Sequence, residues 1–288
     1  MVTELERAFS SDDYPEEERR LLETKAAGVK ALATWHATDT IQAAREACGG
    51  LGYLSGYRLG RLKADTDVFT TFEGDNTILL QLVAKSLLTE FRDEFGELSP
   101  VGTASFFAGQ VVERIVERTA ARELVSRLWD DLTPSSEAEG DLAERKYQLA
   151  LFAWREDHIV SAAARRLKGG IDDGQDPFDV FNECQDHILL ASRAHVERLI
   201  LEAFDRGVQN CEDTGQQQVL DRLCDLYALS RIEADRAWFQ EHGRISSTRS
   251  KAVIQSVNRL CEALRPHAGE LVEAFGVPEP ALPDVGSV

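Results

Sequence analysis

The helical spacing of apolar residues is the feature that most limits how this chain can fold. Near the amino terminus Leu22, Val29, Leu32 and Ala33 recur at intervals typical of one buried face of an α-helix. Comparable patterns follow along most of the chain, and no stretch shows the strict apolar–polar alternation of a half-buried β-strand. The sequence therefore predicts an all-α protein.

Turn-forming residues divide the first part of this pattern. Asp13 and Pro15 offer a helix start, so a long helix is expected from there to about Cys48, where glycines end it. A loop is expected from Gly49 to Phe72. A second helix, from about Asn76 to Phe95, is predicted to run antiparallel to the first, as amphipathic neighbours joined by a compact connection usually do.

A domain boundary is predicted at Gly96 to Pro100, where a glycine, a proline and a break in periodicity coincide. The expected domains are residues 1–98 and 99–288. Further helices are predicted in the second domain at about 101–132, 139–168, 177–209, 214–242 and 247–275.

Two glycine-containing segments stand out from the helical pattern, Arg45 to Tyr53 (REACGGLGY) and Thr70 to Thr77 (TTFEGDNT). Adjacent glycines let the backbone adopt positive φ and approach a neighbour closely, which suits a turn or a phosphate contact. No strand is predicted before the first segment, so the context of a Rossmann dinucleotide fingerprint is not met.

Glu73 is the carboxylate whose position invites a catalytic interpretation. It precedes Gly74 and two residues that favour helix starts, Asp75 and Asn76. A carboxylate held just ahead of a helix and flanked by Phe72 is placed where its surroundings can tune it. An ordinary helix-entry carboxylate explains the same residues, and spacing alone leaves both interpretations open.

Together the two segments resemble the carboxyl-terminal region of the flavin-dependent acyl-CoA dehydrogenase and acyl-CoA oxidase superfamily. Their residues are more similar to those of the oxidases. The end of the chain, Leu264 to Ala268 (LRPHA) and Leu271 to Pro278 (LVEAFGVP), is similar to the closing helix of acyl-CoA oxidases. The resemblance implies a partial acyl-CoA dehydrogenase C-terminal-like helical bundle followed by an acyl-CoA oxidase C-terminal helical domain.

The same resemblance implies that Glu73 is a general base. It would remove the α-proton of an acyl-CoA thioester while the β-hydrogen leaves as hydride to FAD, giving a trans-2-enoyl-CoA in fatty-acid β-oxidation. In an oxidase the electrons then pass to O2 and give hydrogen peroxide, whereas a dehydrogenase passes them to a protein acceptor.

Cofactor contacts are implied for several further residues. Gly49 and Gly50 match the turn that lies against the FAD of a neighbouring subunit, and Asp75 and Thr77 match positions on the adenine side. Arg45 is an additional candidate. Glu46 is left out of the site, because a carboxylate near the pyrophosphate would repel it unless it turned away. Dehydrogenases carry threonine at the position of Asp75 and often glutamine at that of Thr77, so this sequence favours the oxidase branch.

The resemblance covers only the last part of such enzymes, which also use an N-terminal helical domain and a middle β-domain. The chain is therefore expected to be a fragment or a separately encoded part, inactive alone, that works as a homodimer or with a missing N-terminal half. The alternatives are an acyl-CoA dehydrogenase-like subunit and a non-catalytic helical assembly module.

Charge and composition exclude several other functions. A formal charge of −18 and a pI near 4.8 argue against nucleic acid as a partner, because a phosphate backbone requires a concentrated basic face. No apolar run is long enough to cross a membrane. Cys184, His187 and His195 lack a second ligand pair at zinc spacing, so no metal site is predicted.

The five cysteines are scattered without paired spacing, which indicates reduced thiols. The terminus Gly286-Ser287-Val288 is not a peroxisomal serine-lysine-leucine signal. The sequence therefore predicts a bacterial-type cytoplasmic protein rather than a peroxisomal one.

Overall fold

A computed structural model describes residues 6–8, 10, 15–93 and 141–278. These residues form helices and turns and contain no β-strand, which confirms the all-α prediction. The predicted domain boundary at 96–100 and the predicted helix at 101–132 lie outside the described residues. The division into domains 1–98 and 99–288 therefore stays a prediction.

The amino-terminal part is organised around one long helix. The α-helices are α1 (Glu16–Ala47), α2 (Leu59–Asp67) and α3 (Asn76–Asp93), and the short 3-10 turns are Gly49–Tyr53, Ser55–Tyr57 and Val68–Thr70. The segment predicted as a loop between the long helices thus contains α2 and all three turns. The glycines after α1 end that helix as expected.

Helices α1 and α3 pack side by side and run in opposite directions. Asn76 at the start of α3 contacts Ala31, whereas Gly28, one turn earlier on α1, lies beside Val83, further along α3. Ala31 and Val83 are completely buried. The predicted antiparallel arrangement is confirmed.

The carboxyl-terminal part is a further series of helices. They are α4 (Arg145–Asp172), α5 (Pro177–Glu183), α6 (Gln185–Gln209), α7 (Thr214–Ala234), α8 (Arg236–Glu241), α9 (Ser247–Leu264) and α10 (Ala268–Glu273), with 3-10 turns at Asp141–Ala143 and Arg265–His267. Three of the predicted helices are therefore each divided in two. Pro266 explains one break, since proline has no amide N–H to continue the helical hydrogen bonds.

Helix α4 extends past its predicted end at residue 168, because Gly170 serves packing and does not end the helix. A Cβ at this position would lie 2.7 Å from Val180 Cγ2 and 2.7 Å from Gln175 Oε1. The missing side chain lets α5 approach α4 closely. The prediction of a loop at Gly169 and Gly170 is wrong for this reason.

The chain forms two compact units that do not follow sequence order. The first unit contains the described residues 15–93 and 162–196, and the second contains 141–161 and 197–276. One buried cluster of the first unit comprises Ala84, Leu88, Leu167, Val180, Cys184 and Ile188. The core of the second unit includes Phe152, Leu201, Leu229, Ile232 and Phe239.

A buried ion pair crosses the second unit. The side chains of Arg155 on α4 and Glu197 on α6 are each 3% exposed and hydrogen-bond directly. Arg155 also pairs with Asp235, which follows α7. Because charges at such depth are unfavourable unless paired, removal of either Arg155 or Glu197 would leave an unpaired buried charge.

No helix in the described part of the chain is long and apolar enough to span a lipid bilayer.

Candidate active-site turn

Glu73 occupies a strained turn between the Val68–Thr70 3-10 turn and α3. Its φ of 57° lies in the left-handed region, and Gly74 follows with φ of 106°. A non-glycine residue in that region costs on the order of 1–3 kcal/mol and persists only where its surroundings hold it. The Glu73 side chain is exposed, so its carboxylate is presented outward from a constrained backbone.

Three residues of α1 hold this turn, together with the first residue of α3. The Lys30 ammonium donates to the Gly74 carbonyl at 2.6 Å and to Asn76 Oδ1 at 3.0 Å. The Asn76 amide donates to the Ala31 carbonyl at 3.2 Å and to Thr34 Oγ1 at 2.9 Å. Asn76 is only 1% exposed. The turn is thus connected to α1 through a buried polar network.

Asp75 caps α3. Its Oδ1 accepts hydrogen bonds from the backbone N–H of Thr77 at 2.9 Å and of Ile78 at 3.4 Å. This confirms the predicted capping role of Asp75. Asn76 was predicted to share that role, but its side chain turns toward α1 instead. The predicted adenine contacts of Asp75 and Thr77 stay predictions.

The glycine segment after α1 forms a turn in which each glycine has a different surrounding. Gly49 has φ of 56°. Gly52 is buried, and a Cβ there would lie 2.2 Å from the Arg45 carbonyl oxygen. Gly50 is exposed, and no atom in the described part of the chain lies within 4 Å of where its Cβ would be. The turn itself requires Gly52, which was not predicted as a site residue, but it does not require Gly50.

Arg45 lies beside this turn, and its guanidinium is held by two neighbouring side chains. Its guanidinium stacks over the Tyr53 ring, 4.6 Å from the centroid, and its Nη1 donates to Gln42 Oε1 at 3.4 Å. Its Nε is buried and has no hydrogen-bond partner among the described residues. The positive charge of this held guanidinium, beside the glycine turn, suits an anionic group such as a pyrophosphate.

Glu46 does not oppose such a group directly. Its Oε1 accepts a hydrogen bond from Gln42 Nε2 at 2.7 Å, so the carboxylate lies along its own helix. The residues present at the turn therefore fit the phosphate part of a dinucleotide cofactor.

The glycine turn and the Glu73 turn are both attached to α1, at Arg45 and Lys30 respectively. An α-helix rises 1.5 Å per residue, so these attachment points lie about 22 Å apart along the helix. The structure does not bring Gly49 or Gly50 together with Glu73.

Helix α2 is tied down between the two turns. Asp67 at its end accepts hydrogen bonds from Lys63, at 2.6 Å, and from Thr38 on α1. These bonds, that from Lys63 above all, hold the pKa of the Asp67 carboxyl below its usual range. The connection between the turns is thereby anchored to α1.

Large exposed apolar side chains lie in or close to both turns along the chain, and the sequence analysis missed them. Phe69 and Phe72 pack edge to face, with ring centroids 6.3 Å apart, yet they are 45% and 57% exposed. The other large exposed apolar residues in this region are Leu51, Tyr53, Leu54, Leu62, Val68, Ile78 and Leu82. So many exposed apolar side chains in one region are typical of a surface that another protein segment or a ligand covers. We call these nine residues the apolar surface.

Within the described ranges, no group of three histidine, cysteine, aspartate or glutamate side chains could hold a metal ion. The Cys184 thiol is buried, and burial raises its pKa. His187 Nδ1 lies 2.7 Å from Oδ1 of its neighbour Asp186.

Two family models match the chain. Residues 1–88 match the C-alpha1 domain of acyl-CoA oxidase, and residues 144–283 match a second model described as acyl-CoA oxidase. Acyl-coenzyme A oxidase 2 of Arabidopsis thaliana is 33% identical over 88% of the chain and 35% of its own length. An acyl-coenzyme A oxidase-like protein of Mus musculus is 30% identical over 90% of the chain and 39% of its own length.

Among solved structures, acyl-CoA oxidase-1 of Caenorhabditis elegans, complexed with FAD and ATP, superposes with a TM-score of 0.76 at 20% identity. That match covers 96% of the chain and 39% of the worm protein, and it supports the fold. The chain therefore spans less than two fifths of the length of these relatives.

The prediction of a bacterial-type cytoplasmic protein is wrong. The Arabidopsis relative and mammalian relatives are named as peroxisomal acyl-coenzyme A oxidases.

Proposed function

Because the chain belongs to the acyl-CoA oxidase family, we propose that it is the helical C-terminal part of an FAD-dependent acyl-CoA oxidase. The complete enzyme desaturates an acyl-CoA to a trans-2-enoyl-CoA, the first oxidation of fatty-acid β-oxidation. Bound FAD accepts the β-hydrogen as hydride, and O2 then takes up the two electrons and two protons to become hydrogen peroxide.

Glu73 is the general base of this reaction. The α-proton of the thioester moves to a Glu73 carboxylate oxygen as the bond between Cα and Cβ becomes double. The match to the acyl-CoA oxidase family carries this assignment, and the geometry of the turn supports it. An exposed carboxylate stands on a backbone in the left-handed region, and a buried network ties that turn to α1.

Arg45, Gly49 and Gly50 contact FAD. The Arg45 guanidinium beside the turn and the open backbone at Gly50 support this role, since an approaching phosphate would meet a nearby cation and no Cβ. The separation of about 22 Å along α1 supports a homodimer in which the glycine turn serves the FAD of a neighbouring subunit. Asp75 and Thr77 lie on the adenine side of the cofactor.

The chain alone does not oxidise acyl-CoA. The apolar surface around the two turns is open in the described residues, and the chain spans only 35% of the Arabidopsis relative. The remainder of the enzyme covers that surface and supplies most of the acyl pocket, which excludes water from the reaction.

Complementation tests this function. The chain is fused to the part of the Arabidopsis relative that it does not match, loaded with FAD and given palmitoyl-CoA, and peroxide is followed with a peroxidase-coupled dye. Glu73→Gln is expected to lower kcat by about 10²- to 10⁴-fold, the usual contribution of a general base. The exposed Glu18, changed to Gln, is the matched control and should leave kcat unchanged.

Each other outcome has a defined meaning. Equal activity of the Glu73→Gln variant and the parent would refute the catalytic role and favour the assembly module. Substrate-dependent reduction of an artificial electron acceptor without peroxide would assign the chain to the dehydrogenase branch. Peroxide production by the unfused chain would refute its dependence on the remaining part.

A further inference from the structure

We propose that Lys30 is a positioning residue for the catalytic base, acting through the Gly74 carbonyl and the Asn76 side chain. The inference rests on the proposed function, because it assigns to Lys30 the orientation of Glu73. Lys30 lies in the middle of α1, 43 positions before the base, and belongs to neither glycine-containing segment.

Lys30 contacts the backbone of the Glu73 turn. Glu73 and Gly74 both have positive φ, so the two peptide planes around the base are held in an uncommon conformation. The Lys30 ammonium donates a 2.6 Å hydrogen bond to the carbonyl of Gly74, the residue directly after the base. A charged donor makes such a bond stronger than one between neutral groups. The bond restrains the Gly74 carbonyl, and it thereby limits movement of the adjacent Glu73 backbone.

The hydrogen-bond network around Lys30 is buried at Asn76. Lys30 also donates to Asn76 Oδ1 at 3.0 Å, and the Asn76 amide in turn donates to the Ala31 carbonyl at 3.2 Å. Asn76 is 1% exposed and begins α3. Lys30, Ala31 and Thr34 all lie within one turn of α1, so the network joins Glu73 to a single rigid element.

Displacement of the base would slow proton abstraction. Proton abstraction requires the carboxylate within hydrogen-bond reach of the α-carbon, and a misplacement of about 1 Å can lower a rate by about 10²-fold. Loss of the Lys30 contacts frees the Gly74 peptide without removing any atom of Glu73. Proton transfer should slow, while the acyl-CoA contacts made by the rest of the enzyme remain.

The experiment uses the FAD-loaded fusion and palmitoyl-CoA, with Lys30→Met, Lys30→Arg and the matched control Lys251→Met. Lys251 is an exposed lysine on α9. Lys30→Met is expected to lower kcat at least tenfold with little change in KM. It should also raise the kinetic isotope effect with palmitoyl-CoA deuterated at Cα, because proton abstraction becomes more strongly rate-limiting. Lys30→Arg keeps a cationic donor and should recover most of kcat, and Lys251→Met should match the parent.

If Lys30 has a purely structural role, Lys30→Met would lower the amount of folded enzyme, but kcat per active site and the isotope effect would stay unchanged. Active sites are therefore counted from bound flavin before rates are compared. If Lys30→Met does not fold, Lys30→Gln keeps a neutral donor, and a smaller rise in the isotope effect is expected together with a smaller loss of kcat.

Two failures remain distinguishable. If Glu73→Gln is fully active, the proposed function is wrong. If Glu73→Gln is inactive but kcat, KM and the isotope effect of Lys30→Met equal those of the parent, Glu73 is the base and Lys30 does not position it.

Discussion

Alanine substitutions at Gly50 and Gly52 are expected to change the free energy of unfolding in opposite directions, although the two glycines lie two residues apart in the same turn. Replacing Gly52 by alanine places a Cβ 2.2 Å from the Arg45 carbonyl oxygen and 2.9 Å from Arg45 Cα. Both neighbours are backbone atoms, so no side-chain rotation can relieve the overlap. Replacing Gly50 by alanine places a Cβ in open space among the described residues, at a position without positive φ.

The magnitudes follow from these two surroundings. Overpacking against a fixed neighbour typically costs about 1–3 kcal/mol, so Gly52→Ala should destabilise the chain by at least about 1 kcal/mol. A tolerated glycine-to-alanine change restricts the unfolded chain and stabilises by about 0.4–1 kcal/mol. The two variants should therefore differ in free energy of unfolding by at least about 1.4 kcal/mol, a tenfold ratio in the unfolding equilibrium constant.

Urea denaturation followed by circular dichroism at 222 nm measures this difference, with the parent chain as reference. Equal free energies of unfolding for the two variants, or a Gly50→Ala variant less stable than Gly52→Ala, would refute the reasoning. In the FAD-loaded fusion, the Gly50→Ala variant also tests the proposed contact with the cofactor. Gly50→Ala should keep its stability but retain less flavin, because the new methyl group occupies the space assigned to the cofactor. Full flavin retention would remove Gly50 from the proposed site.

Two further predictions concern the buried thiols and the buried ion pair. Iodoacetamide at pH 8 should alkylate the exposed Cys48 and Cys261 but spare Cys224. Burial raises the pKa of the Cys224 thiol to about 12, and only the thiolate reacts. Peptide mass spectrometry identifies the alkylated cysteines, and labelling of Cys224 without denaturant would contradict the prediction. Arg155→Met should lower the free energy of unfolding in urea by about 3–5 kcal/mol, because the Glu197 side chain, 3% exposed, stays buried without its arginine. A decrease below about 1 kcal/mol, the range of surface ion pairs, would show that this pair contributes little to stability.

The local features of the candidate site were predictable from the sequence. Asp75 caps α3 as its position before an apolar row indicates, and the glycines end α1. Such signals depend on residues within a few positions of one another. The structure does not decide the chemical roles of Glu73, Gly49 or Gly50, which rest on the family and stay proposals.

The helix ends were predictable where a breaker acts locally and were missed where packing decides. Pro266 lies at a break between α9 and α10, yet a single helix was predicted there because the apolar pattern continues past it. Gly170 looks like a helix end in the sequence but lies within α4, since the close approach of Val180 leaves no room for a side chain.

By itself the sequence determined the all-α class, the positions of most helices and the two segments that carry the family resemblance. These follow from apolar spacing, caps and glycines, which act over one or two helical turns. Only the tertiary structure decided the contacts of Lys30, Asn76 and Gly52. The bonds from Lys30 to Gly74 and from Asn76 to Ala31 join residues 44 and 45 positions apart, and Gly52 is required because the chain folds back against the end of α1. Which side chains meet at such separations depends on how α1 and α3 pack, and local periodicity does not specify that register.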